Sequence, residues 1–175
     1  MSHRHGGAPE QHRSYAPESV GCSLLTVSDS RTLENDSAGS LIEAALAGAG
    51  HRIERRAIVR DEAEGIRAAV REGIESPEVD AVIVCGGTGV APRDVTPEAV
   101  GPLLEKRLDG FGELFRALSF AEIGTAAMLS RALAGVAGRT AVYVMPGSSA
   151  AAKLGVERLI LPELTHLVGQ LRRSG

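Results

Sequence analysis

The residues best suited to chemistry lie in one short stretch, Gly86-Gly87-Thr88-Gly89-Val90-Ala91-Pro92-Arg93-Asp94. The apolar run Ala81-Val82-Ile83-Val84-Cys85 precedes it and reads as a buried strand; Thr96-Pro97-Glu98 follows and reads as a helix start. A strand that opens through glycines into a helix lets bare backbone N–H groups approach an anion. Arg93 adds a fixed cation and Asp94 a carboxylate at the same mouth. The combination predicts phosphate binding and a metal ion beside it. Two familiar phosphate templates do not fit. A P-loop needs Lys followed by Ser or Thr after its last glycine, and a dinucleotide fingerprint needs a third glycine where Pro92 stands.

Three further segments fall at predicted strand ends: Ser28-Asp29, Asp61 and Pro146-Gly147-Ser148. In an open α/β sheet, ligands bind beyond the carboxyl ends of the strands, where the strand order reverses. Asp61 and Asp94 together suit Mg²⁺, which is held by one or two carboxylates plus phosphate oxygens and water. Each also has a plain structural reading. The glycines satisfy a tight turn, Asp61 and Asp94 favour a helix start, and Ser148 is an ordinary N-cap.

The elements that must position these groups alternate along the chain. Val20–Val27 reads as an inner strand, and a polar loop leads to a helix over Ser37–Ala49 stopped by Gly50. His51–Val59 alternates and reads as a strand nearer the edge. Asp61 starts a helix to Glu75, and Ala81–Cys85 is the third strand. Thr96 is expected as N-cap of the next helix, with Pro97 at its first position. Phe111, Leu114, Phe115 and Leu118 form a helical apolar face, read as core or as a subunit interface. Leu133–Val136 and Thr140–Val144 read as a hairpin turning at Gly138, and two helices, Ser149–Arg158 and Pro162–Leu171, complete the chain. The expected fold is a three-layer α/β/α sandwich, its sheet mostly parallel with a small antiparallel hairpin.

Composition narrows the function classes. The chain has 175 residues, enough for one sizeable core, and residues 20–175 are read as a single domain behind a mobile tail over residues 1–19. A net charge of −3 and three Phe, two Tyr and no Trp argue against a nucleic-acid surface. No apolar run approaches the roughly 20 residues of a membrane span, and no apolar core marks a secretory signal. Cys22 and Cys85 sit in predicted strands and are expected as reduced buried thiols of a cytoplasmic protein.

Several blocks together resemble the MoaB/MogA family, the molybdenum cofactor biosynthesis domain also found in gephyrin. They are Thr26-Val27-Ser28-Asp29-Ser30-Arg31, Gly86-Gly87-Thr88-Gly89 with Arg93-Asp94-Val95-Thr96-Pro97-Glu98, Gly110-Phe111-Gly112-Glu113, Ser130-Arg131 and Pro146-Gly147-Ser148. The match runs in order from about Val20 to the C-terminus, and Gly-Phe-Gly-Glu-Leu-Phe-Arg points to the MoaB branch. The resemblance implies a homotrimer or a hexamer, molybdopterin binding, contact with other cofactor-biosynthesis proteins, and transfer of AMP from Mg-ATP to the pterin's terminal phosphate. It implies Asp61 and Asp94 as the catalytic and Mg²⁺-holding carboxylates. Ser28, Asp29, Gly86, Gly87, Thr88, Gly89, Arg93, Ser130, Gly147 and Ser148 are the substrate-binding set. The alternative is a non-catalytic molybdopterin-binding protein of the same fold. One departure is visible: family members often place a basic residue within two or three positions of Pro-Gly-Ser, whereas here the first cation is Lys153.

Overall fold

A computed structural model describes residues 16–173; of the tail expected over residues 1–19, residues 1–15 lie outside the described residues, while Ser19 Oγ donates to Gly50 O at 2.9 Å. Six strands form one sheet: β1 (Gly21–Val27), β2 (Arg52–Val59), β3 (Ala81–Cys85), β4 (Lys106–Arg107), β5 (Leu133–Ala137) and β6 (Thr140–Met145). Their order is β2-β1-β3-β6-β5-β4. The four strands β2, β1, β3 and β6 are parallel, while β5 runs antiparallel to both β6 and β4.

Helices cover both faces, as the continuous apolar strands require. Alternate residues of every strand but β4 feed two cores. Leu24, Ile83, Tyr143 and Met145 face α1 (Ser37–Gly48), α4 (Asp109–Ile123), α5 (Ser149–Gly155) and α6 (Leu161–Arg172). Leu25, Val82, Val142 and Val144 face α2 (Ala63–Glu75) and α3 (Thr96–Val100). The expected three-layer α/β/α sandwich is what forms, and β2 does lie at an edge. Among the described residues no helix is long and apolar enough to cross a membrane, and both cysteines are free and buried.

Local differences from the sequence reading have physical causes. Helix α2 starts at Ala63 rather than Asp61, because the Asp61 carboxylate is turned away to accept from Val95 N. Thr96 is the first residue of α3, not its cap. Its N–H donates to Gly87 O at 3.0 Å, and Val95 takes the cap position. Helix α3 ends after one turn, passing through a 3₁₀ turn at Gly101–Leu103 into β4. Strand β4 has only two residues, both charged, and so carries no apolar pattern. Phe111 and Phe115 enter the core as expected, but Leu114 is exposed. The last two helices are continuous, joined by a π-helical stretch at Val156–Ile160.

Asp36 anchors the first crossover. It caps α1 by accepting from Gly39 N at 3.0 Å, and it accepts from the Thr26 hydroxyl at 2.7 Å. Arg56 on β2 pairs with it at 3.3 Å and with Glu43 at 2.6 Å. Asp36 is 2% exposed, so truncating it leaves the Thr26 hydroxyl and the Gly39 N–H without their acceptor and takes one of two carboxylates from Arg56. Asp36→Ala is expected to cost about 3 kcal/mol in urea-denaturation stability, as for a broken buried pair; a loss under about 0.5 kcal/mol would show the cluster to be no more than a surface ion pair.

Candidate functional site

The chain passes from β1 outward to β2, then returns to the other side of β1 for β3, so the strand order reverses between β1 and β3. Beyond the carboxyl ends of these strands lies a cleft of about 460 Å³. Three glycines bring the strand ends close enough to make it. Gly86 has φ +115°, and a Cβ there would run into Val27 O of β1. On its other side, a Cβ at Gly147 would lie 3.2 Å from Gly86 Cα, and Gly86 N donates to Met145 O at 2.9 Å. Gly87, at φ +64°, passes against the buried hydroxyl of Thr96, where a side chain would collide. These φ values suit glycine alone.

The loop backbone then runs between two carboxylates. A Cβ at Gly87 would lie 2.9 Å from Asp61 Oδ1, and one at Gly89 would lie 2.6 Å from Asp94 Oδ2. Asp94 also shapes the loop, accepting from Ala91 N at 3.0 Å through Oδ2 while its own N–H donates to Ala91 O at 2.9 Å. Asp29 reaches across from β1, where it accepts from Asp61 N at 3.1 Å and pairs with Arg93. Ser28 closes its own turn, its Oγ accepting from Ser30 N and Arg31 N. Thr88 is buried beneath the loop. Ser130, with Ile123, Ala126 and Leu129, supplies the opposite, more apolar wall.

Every candidate residue from the sequence therefore lines this cleft except Ser148. Its hydroxyl accepts from Ala151 N at 3.2 Å and caps α5, the plain structural reading. Lys153 is on the exposed face of α5. The residue whose role sequence reasoning missed is Arg131. Its Nε donates to Gly89 O at 2.9 Å and Thr88 O at 3.3 Å, its Nη2 donates to Asp94 O at 2.6 Å, and its Nη1 pairs with Glu98. A lone cation beside Ser130 was the available signal, but nothing local reveals a reach of about forty residues back along the chain.

Electrostatically the cleft is strained in one place. Burial raises the Asp61 carboxyl above the usual carboxylate range, and the charges of Asp94 and Asp29 add to the rise. The Val95 N–H and the Arg93 cation oppose it. Two adjacent carboxylates, each otherwise tied to backbone N–H groups, match a cation that completes its shell with phosphate oxygens and water. Among the described residues no set of three or more His, Cys, Asp or Glu side chains forms an all-protein metal cage.

Over residues 23–166 the sequence matches the family described as "probable molybdopterin binding domain". The chain belongs to this family. Its role accordingly lies in molybdenum cofactor biosynthesis. It is 49% identical over 165 residues to molybdenum cofactor biosynthesis protein B of Bacillus cereus, covering 94% of this chain and 98% of that one. A crystal structure of a molybdenum cofactor biosynthesis protein B superposes with TM-score 0.88 at 50% identity, over 90% of this chain and 99% of the other. The tungsten cofactor synthesizing protein MoaB from Pyrococcus furiosus superposes with TM-score 0.81 at 36% identity, over 90% and 99%. These likenesses agree with the MoaB/MogA resemblance of the sequence blocks.

The raised Asp61 carboxyl has a stability consequence in this molybdopterin-binding-family chain. Its ionised form is disfavoured in the folded state, so the penalty is present at neutral pH and vanishes as pH falls through its folded value toward the ordinary carboxylate range. In EDTA at pH 7, Asp61→Asn is therefore expected to melt above wild type, with the gap closing as pH is lowered. A variant that melts lower at pH 7 would show that the carboxylate is a net structural support.

Proposed function

We propose that the protein is a molybdopterin adenylyltransferase. The observation that carries this reading is the placement of Asp61 and Asp94 on either side of the Gly87–Gly89 backbone, in one cleft at the strand-order reversal. Membership of a molybdopterin-binding family supports the pterin as one substrate, and the carboxylate pair supports Mg-ATP as the other.

An oxygen of the pterin's terminal phosphate attacks the α-phosphorus of ATP. A new P–O–P anhydride forms, the α–β anhydride bond breaks, and pyrophosphate leaves. The attacking phosphate is already ionised, so no strong general base is needed, and none of the cleft's described residues is a histidine. Catalysis then rests on positioning and on neutralising charge between two anions. Backbone N–H groups of Gly87 to Gly89 hold phosphate, the Gly86 N–H being taken by Met145 O, and the buried Thr88 steadies the loop. Arg93, held in place by Asp29, supplies a cation at the cleft mouth. Asp94 and Asp61 hold Mg²⁺, which when bound offsets the charge of the nucleotide phosphates. Gly147 lets the β6 end approach without a side chain in the way, while Ile123, Ala126 and Leu129 give the facing wall an apolar surface.

The expected homotrimer or hexamer has a ready surface. Phe120, Ile123, Met128 and Leu129 are all more than half exposed along the end of α4 and the turn after it. Aromatic and Met side chains concentrate at such interfaces.

Incubation with molybdopterin and Mg-ATP is expected to yield adenylylated pterin and pyrophosphate in equal amounts. Asp94→Asn keeps the acceptor for Ala91 N but loses the charge, and turnover is expected to fall by about a hundredfold or more. Pterin binding without any adenylylated product in the wild type would leave the non-catalytic binding protein as the reading. Near-normal turnover in Asp94→Asn would remove that residue from the mechanism.

A further inference from the structure

Behind the Ser130 wall lies a second pocket of about 420 Å³, which shares Ser130 with the main cleft. Three guanidinium groups line it, from Arg107 on β4, Arg116 on α4 and Arg131 before β5, against the single carboxylate Glu98. Glu98 is already paired with Arg131, and Arg107 reaches Asp109 at 3.4 Å.

Arg116 differs from both. Among the described residues no carboxylate lies within ion-pair distance of it. Its Nη1 donates to two backbone carbonyls, Ala132 O at 3.3 Å and Ser130 O at 3.5 Å. Room for the group comes from Gly112 one turn earlier, where a Cβ would lie 3.0 Å from Nη1 and Nη2 and 2.6 Å from Ala132 O. The guanidinium is thus fixed in position and partly buried, yet its charge is unanswered. A cation held in this way is preorganised for an anion, since little side-chain freedom is left to lose on binding.

We infer that this pocket binds a diphosphate group, with Arg116 as its central donor, Arg107 at its side, and Arg131, whose nitrogens already hold the loop and Glu98, adding charge. Planar guanidiniums match phosphate oxygens in paired hydrogen bonds, and three of them suit two linked phosphates better than one. As an anion site the pocket stands on its own geometry; its identity as the diphosphate subsite rests on the adenylyl-transfer reading. The diphosphate is either free pyrophosphate or the terminal portion of a nucleoside triphosphate reaching past Ser130. Because Arg131 also holds Thr88 O, Gly89 O and Asp94 O, an anion here also bears on the loop that carries Asp94.

Sodium pyrophosphate, ATP and AMP are titrated separately into the full chain by calorimetry without magnesium. Arg116→Gln keeps a donor for the two carbonyls and removes the charge, and its melting temperature is checked beside wild type. Its pyrophosphate affinity is expected to fall by about tenfold or more, the usual loss for a charge-assisted hydrogen bond, while AMP affinity stays unchanged. The exposed Arg107→Gln is expected to show a smaller loss. Arg139→Gln, in the β5–β6 turn at the opposite end of the strands, is expected to show none. A parallel loss for ATP assigns the pocket to the nucleotide's own tail, and no loss for ATP assigns it to the free product; both support a diphosphate site. Wild type that takes up no pyrophosphate, or Arg116→Gln and Arg139→Gln with equal affinities, overturns it. Diphosphate binding that depends on Arg116 in a protein that forms no adenylylated pterin supports the pocket and overturns the adenylyltransferase reading instead.

Discussion

One planar cation organises the loop after β3. Arg131 spends its donors on three backbone carbonyls, those of Thr88, Gly89 and Asp94, and on the Glu98 carboxylate. The loop itself contains glycines at φ values that no side chain would stabilise, so its shape has to be imposed from outside. A guanidinium can do so because its donors point in several fixed directions within one plane, whereas an ammonium would satisfy one or two carbonyls at a time. The position of the Asp94 carboxylate follows from that grip, and so does the access of ligands to the N–H groups of Gly87 to Gly89.

The same crowding sets a tension between stability and chemistry. Asp29, Asp61 and Asp94 converge on one cleft, and Arg93 and Arg60 answer them only from exposed positions. Burial and like charge disfavour the ionised form of Asp61. Folded proteins tolerate such a site when the rest of the structure over-determines it. Here the two apolar cores on either face of the sheet supply that margin, and the cleft sits at their rim, where strand ends stop being covered by helices.

How much of this was legible in the sequence depended on range. Strand β3 was readable to the residue, because a strand buried on both faces has no polar interruption until it ends at Gly86. Asp61 and Asp94 were recognisable because both stand at strand or loop ends, where carboxylates have work other than filling a core. Strand β4 was not, since two charged residues carry no period. The short life of α3 was equally hidden: Gly101 and Pro102 sit where a longer helix would continue, but only the pairing of β4 with β5 gives the chain a reason to turn there. Ser148 was ambiguous until its hydroxyl was seen to cap α5. Long-range grips, such as Arg131 on the loop or Arg56 on Asp36, have no local signature at all.

The two ends of the sheet bear on how copies of this chain can meet. On one side β2 presents Arg52 and Glu54 outward, and on the other β4 consists of Lys106 and Arg107 and stops after a single pair of ladder positions. Charge at the β2 margin and the two-residue length of β4 make each a poor template for strand addition, since an incoming backbone would have to strip water from ionised side chains at the first and find few partners at the second. Growth of the sheet from one molecule into the next is thereby discouraged. Contact between copies is left to the helical layers, where closed symmetry is possible, rather than to an edge that could extend without limit.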